Sequence, residues 1–130
     1  MTDDLRRGDQ VPNFEVTTLD GATVGYRTLW QHRNLVLIAL PAADVEGSAE
    51  YVASVTGRTQ AFAGHNATCI VTRDSIRGLV PPAVIVADRW GEIVYAAATA
   101  EVRDLPSADA ILEWLEYVQH RCPECEGESR

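Results

Sequence analysis

The chain contains no lysine, and its basic residues apart from histidine are all arginine. Schiff-base chemistry and a P-loop lysine are therefore excluded. Positive charge is scarce altogether: 11 arginines face 19 carboxylates, for a formal net charge of -8. Nucleic acid and anionic membranes both require basic surface, so neither is expected as a partner. There is no long apolar run. The strongest, residues 35–43, is interrupted by Pro41 and falls far short of a membrane span. The polar, acidic start (MTDDLRRGDQ) leads into no apolar segment and does not read as a secretory signal. Cysteine is sparse too. Three thiols are too few for a disulfide scaffold, and their odd number fits a reducing compartment. These absences together predict a cytoplasmic protein.

What remains is the make-up of one soluble domain. A length of 130 residues suffices for one core, and 46% hydrophobic with 23% charged residues is ordinary globular composition. FEVTT (14–18) alternates as a short strand does and ends at Asp20-Gly21, a hairpin turn signal. ATVGY returns, and RTLWQH reads as a short helical connector. NLVLIAL (34–40) is a continuous apolar stretch of strand length, as expected of a central strand buried on both faces. Residues 44–63 carry apolar positions among polar ones and predict one helix, weakened by Gly57, with Asp44 as its cap. ATCIVT (67–72) predicts a second buried strand, and RDSIRGL a short connector. AVIVAD and EIVYAAA, joined through Asp88-Arg89-Trp90-Gly91, predict an antiparallel hairpin. Ser107 predicts the cap of a last helix to about residue 121, with Ile111, Leu112, Leu115 and Val118 on one face. The order predicts an α/β domain around a mixed sheet.

Those residues resemble a known group. GDQVPNFEVTTLDGATV is similar to the opening of the redoxins, thioredoxin-fold proteins that include peroxiredoxins and thiol-disulfide oxidoreductases. NLVLIALP resembles their strand leading to the active site. PAVIVADRWGEIVY resembles a segment in which a cis proline faces that site, with Pro82 at the proline, Asp88 six residues on, and Gly91 and Ile93 in place. The resemblance implies a thioredoxin-like fold over residues 1–121: a central mixed β-sheet, an N-terminal hairpin and helices on both faces, followed by an acidic tail at 122–130. It also implies a reactive cysteine at or near the start of the helix after the active-site strand, where helix amides and dipole favour thiolate. Here Pro41 is followed by Val45 and Ser48 at the peroxiredoxin Thr and Cys positions, and PAADVEGSAEYV contains no thiol. A hydroxyl cannot be oxidised to a sulfenic acid, so peroxide reduction is not expected there. Ser48 reads as a polar residue at a helix start; His32 and His65 could be nominated as its base, but their spacing does not single out either. If the vacated pocket binds a ligand, Asp44, Ser48 and Pro82 should border it.

The remaining chemistry lies in the cysteines. Cys69, on an apolar strand, reads as a small hydrophobe. Cys122 and Cys125 form a C-x-x-C, and three readings stay open. The pair could cycle between dithiol and disulfide as a displaced catalytic pair, with a protein thiol or disulfide as partner. It could bind zinc together with His120, in which case a homodimer would complete the donor set. It could also have no chemical role. Cys122 follows a helix C-terminus and Glu124, Glu126 and Glu128 crowd the tail, so each thiol pKa should be raised. The resemblance also implies that the last helix starts at the active-site end and runs about 21 Å away from it, which would put the pair at the far end of its own subunit. Trp30, Trp90 and Trp114 read as packing, and Arg73, Arg77 and Arg89 as solvated surface.

Overall fold

The computed structural model describes residues 7–11, 14–26, 33–42, 44–74 and 80–120. The connector expected at 27–32, residues 75–79 of the connector expected at 73–79, and the tail at 122–130 lie outside the described residues. A four-stranded sheet runs in the order β4 (Ala67–Thr72), β3 (Asn34–Ala39), β5 (Ala83–Ala87), β6 (Ile93–Ala98). β3 pairs parallel with β4 and antiparallel with β5, so the sheet is mixed. β3 and β5 are buried at every position, which is why their sequences are apolar without alternation. β4, expected to be buried, is an edge strand. Thr68, Cys69 and Val71 are only partly covered, because β4 has a strand neighbour on one side.

The sheet separates two cores. On one face Val36, Ile38, Val84 and Val86 pack against Val55, Phe62, Ile111, Leu115 and Val118 from the helices. Each large side chain removed from water here contributes roughly 1.5–3 kcal/mol. On the other face Leu35, Leu37, Ile85 and Ile93 meet Val11, Phe14 and Val16. That second cover is the segment leading into, and the first strand of, the hairpin β1 (Glu15–Thr17) and β2 (Thr23–Gly25). Gln10 bridges Glu92 beside β6, while Thr18 bridges Thr72 at the end of β4. The leading segment thus crosses the sheet from one edge to the other.

The region expected to form one helix over 44–63 is two: α1 (Ser48–Thr56) and α2 (Thr59–Gly64). Gly57 and Arg58 intervene, and the break lets Phe62 turn into the core. The last helix, α3 (Ala108–His120), starts as expected: the Ser107 hydroxyl accepts the Ala110 N–H at 3.1 Å. A 3-10 turn at Val102–Asp104 precedes it. The β5–β6 connection also follows its sequence. The Asp88 carboxylate accepts the N–H groups of Trp90 and Glu92, each at 2.9 Å. Gly91 adopts φ 88, and a Cβ there would meet the Tyr26 hydroxyl at 2.6 Å, so both backbone and space demand glycine. Burial pushes the Tyr26 phenol pKa up, with Asp88 adding to the shift.

Candidate functional site at the Pro82 end of the sheet

β3 delivers the chain to one end of the sheet. The Leu40 N–H still bonds the Thr72 carbonyl at 2.8 Å, but Pro41 has no N–H to continue the ladder. Two consecutive turns follow, Val45 N–H to Ala42 O and Ser48 N–H to Val45 O, each 3.0 Å. They lead into Gly47, which caps α1 with φ 87 and ψ -14. This corrects the expectation that Asp44 caps the helix. No side chain caps α1, and Asp44 lies exposed three residues before Gly47. A left-handed residue immediately before Ser48 decides where the helix begins, and glycine takes that conformation without strain.

Ser48 is the first residue of α1 and is 0% exposed. Its hydroxyl donates to the Pro41 carbonyl at 3.3 Å, and the Arg73 guanidinium donates to the same carbonyl at 2.6 Å. Pro82 reaches this end from the adjacent strand: Ala39 pairs with Ala83, which brings Pro82 alongside Leu40. Pro82 is buried, its carbonyl accepts the Thr99 N–H at 3.0 Å, and the Pro81–Pro82 peptide is cis. The fold therefore gathers Asp44, Ser48 and Pro82 at one end of the sheet, with Asp44 on the surface and the other two beneath it.

His65 is at the opposite end. Its carbonyl accepts the Asn34 side-chain amide at 2.9 Å, beside the start of β3, so it cannot serve Ser48 as a base. His32 and Arg77 lie outside the described residues. Arg73 was not legible from sequence as part of this site, since a lone arginine carries no periodic signal. Its role follows from β4 ending beside β3, together with the Thr72–Asp74 bonds to β1. There the Thr72 hydroxyl donates to the Thr17 carbonyl at 2.7 Å, and the Thr17 N–H donates to the Asp74 carboxylate at 2.7 Å. Arg89, also read as solvated, lies over the Trp90 ring at 4.6 Å.

Cys69 is a free thiol, partly buried on β4 against the helical layer. Burial pushes its pKa from 9.0 up to about 12. At neutral pH it is protonated and a poor nucleophile. The nearby Tyr51 phenol is raised by burial, then by Cys69 and Tyr95, and its hydroxyl donates to the Pro106 carbonyl at 2.6 Å.

That Tyr51 bond holds the start of α3 at the Pro82 end, and the helix runs to the other. Near its end Arg7 donates to the Tyr117 hydroxyl at 3.1 Å, beside the Gly8 bond to Ile93 at the start of β6. Tyr95 stacks on Trp114 at 5.1 Å, and Trp114 meets Tyr117 edge-on at 5.8 Å. Trp114 is therefore packing, as expected; Trp30 lies outside the described residues. Cys122 and Cys125 lie outside them as well. His120 is the last residue of α3, and its side chain is not among those described. Among the described residues, no group of three or more His, Cys, Asp or Glu side chains is placed to hold a metal ion. Nor is any helix among them long and apolar enough to cross a membrane.

Neither a protein-family model nor a curated protein matches this chain in sequence. Solved structures do match its shape. Peroxidoxin BcpB from Mycobacterium tuberculosis superposes with a TM-score of 0.65 at 16% identity, covering 91% of this chain and 99% of that one. The reduced 2-Cys peroxiredoxin of Plasmodium vivax gives 0.72 at 13% identity, over 89% and 83% of the two chains. A thiol peroxidase from Chromobacterium violaceum gives 0.60 at 16%, over 90% of each. Identities this low speak for the fold and not for the activity. The mixed sheet, the N-terminal hairpin, and the helix that starts at Ser48 after the central strand together give this chain the thioredoxin-like fold of the peroxiredoxins.

Proposed function

We propose that this chain is a redoxin-fold protein acting on thiol–disulfide couples of protein partners through Cys122 and Cys125, in the cytoplasm and as a homodimer. The observation that supports this is the state of the fold's usual site. Ser48 stands at the helix start, buried and bonded to backbone, and a hydroxyl cannot form a sulfenic acid. Cys69 is held protonated by burial. Thiol chemistry is thereby left to the C-x-x-C.

In the oxidising direction for the pair, the Cys122 or Cys125 thiolate attacks a partner disulfide and releases one partner thiolate, leaving a mixed disulfide. The second tail thiolate then displaces the other partner sulfur. The tail ends as the Cys122–Cys125 disulfide and the partner as a dithiol, two electrons having passed to the partner together with two protons. The attacking species is the thiolate, so the exchange quickens as pH rises above neutral.

Equilibration with glutathione redox buffers, followed by acid quench, alkylation and mass measurement, tests the proposal. A single two-electron transition is expected, absent in C122S and in C125S and unchanged in C69A. Failure of the native chain to interconvert at any physiological potential overturns it. The second reading is a non-catalytic binding or assembly module whose tail binds zinc, and the carboxylates Glu124, Glu126 and Glu128 beside the thiols favour it, since they attract a cation. Two thiols and one imidazole fall short of a closed tetrahedral set, so His120, Cys122 and Cys125 would require a second chain. Near-stoichiometric zinc in protein purified without chelator, with both tail thiols protected from alkylation, selects that reading.

A further inference from the structure

An arginine fixed beside an apolar cleft carries a binding inference. β4 has a strand neighbour on one side only, and the break at Gly57 sets α2 apart from α1. Between those helices and β4 lies a cleft of about 310 Å³. Val55, Phe62 and Ala67 are buried and form its apolar depth, while Ala63 and Val71 line it nearer the surface. Among the described residues that line it, Arg33 alone is charged. Arg33 is exposed, and its guanidinium is held across the start of β4. Nε donates to the Thr68 hydroxyl at 3.1 Å, and Nη2 donates to the Ala67 carbonyl at 3.4 Å. Both acceptors are neutral, so these bonds position the charge without compensating it, and they leave further N–H donors for a ligand. Arg58 and Arg103 differ. Each faces a carboxylate, Asp109 at 2.6 Å and Glu101 at 2.9 Å.

We infer that this cleft binds a small amphipathic carboxylate, with the carboxylate accepting from Arg33 and a short aliphatic chain lying against Val55, Phe62 and Ala67. The choice of ligand rests on charge and shape. A planar guanidinium matches a carboxylate in geometry as well as in sign, and the apolar depth behind it suits a hydrocarbon chain. The volume is at the lower end for a ligand cavity, which limits the chain to about eight carbons. A net charge of -8 repels anions in general, so a carboxylate is selected only where a cation stands locally. Arg33 precedes the start of β3, at the end of the sheet opposite Pro82. The site uses neither tail cysteine, so it goes beyond the proposed thiol–disulfide function and fails or stands separately from it.

The test is titration calorimetry of the full chain with octanoate, octanol, octylammonium and acetate. Octanoate is expected to bind at millimolar concentration or below, and equally in the native chain and in C122S/C125S. Octanol and octylammonium lack the carboxylate and acetate lacks the chain, so each should bind more weakly by about tenfold or more. Arg33→Gln should bring the octanoate affinity down to that of octanol. Arg103→Gln carries the same change of net charge elsewhere on the surface and should change binding less than about twofold. Ala63→Phe, which fills the cleft from an exposed helix position, should remove octanoate binding. Circular dichroism confirms that each variant is folded, and the comparison of octanoate with octanol needs no variant. Equal binding of octanoate and octanol by the native chain would overturn the inference. So would equal weakening by Arg33→Gln and Arg103→Gln, or no binding of octanoate at millimolar concentration.

Discussion

Ser48 and Cys69 present the same molecule's two answers to the question of where a thiol could work. Ser48 sits at a helix N-terminus, with the Arg73 guanidinium bonded to the carbonyl that its own hydroxyl reaches. Amide dipoles and a nearby cation favour thiolate there, yet the residue is an alcohol. Cys69 is a thiol, but it lies mid-strand against the apolar helical layer, where burial lifts its pKa to about 12. The surroundings suited to activating sulfur hold oxygen, and the sulfur sits where the surroundings suppress it. The fold supplies an environment; the residue standing in it decides whether any chemistry follows.

The largest effect that tests this contrast is the reactivity of Cys69. With its pKa moved from 9.0 to about 12, the native thiol should alkylate roughly a thousandfold more slowly near neutral pH than the same thiol in urea. Folding stability should follow. Between pH 9.0 and about 12 the unfolded chain loses the Cys69 proton before the folded chain does, so stability falls as pH rises through that window. C69A should flatten that part of the profile in urea titrations. Native and unfolded rates that agree would break the contrast.

A smaller effect comes from placing a thiol in the other environment. In S48C the new thiol should titrate at least about two units below Cys69, read by thiolate absorbance with C69A as reference. Coincident titrations would show that burial, and not the helix start, governs both positions. The smallest effect concerns the backbone that sets the site. Gly47→Ala places a Cβ 3.5 Å from Val102, which is ordinary contact, but at φ 87 it should cost about 1–2 kcal/mol of unfolding free energy. A neutral result would mean that the 42–48 turn relaxes and that Gly47 does not fix the start of α1.

Much of the sheet was legible. NLVLIAL and AVIVAD could be read as doubly covered strands because continuous apolar composition is required when both faces are dry. Asp88 and Gly91 announced their turn because its bonds are local, from a carboxylate to N–H groups two and four residues on. The region after Pro41 was less legible. Asp44 has the composition of a cap, yet the cap is Gly47, whose glycine freedom says nothing about direction until the turn before it is known. The partial exposure of β4 is not legible either, since ATCIVT reads alike at a sheet's centre and at its edge.

What the sequence determined by itself was therefore the set of strands, the short-range turns, the last helix with its Ser107 cap, and the lack of a thiol after Pro41. These depend on composition and on contacts within a few residues. Only the tertiary structure decided which strand lay at the edge, that His65 and Ser48 stand at opposite ends of the sheet, and that Arg73 shares a carbonyl with Ser48. It also set the raised pKa of Cys69. Each of these depends on residues far apart in the chain being brought together by strand order, and local sequence carries no record of that order.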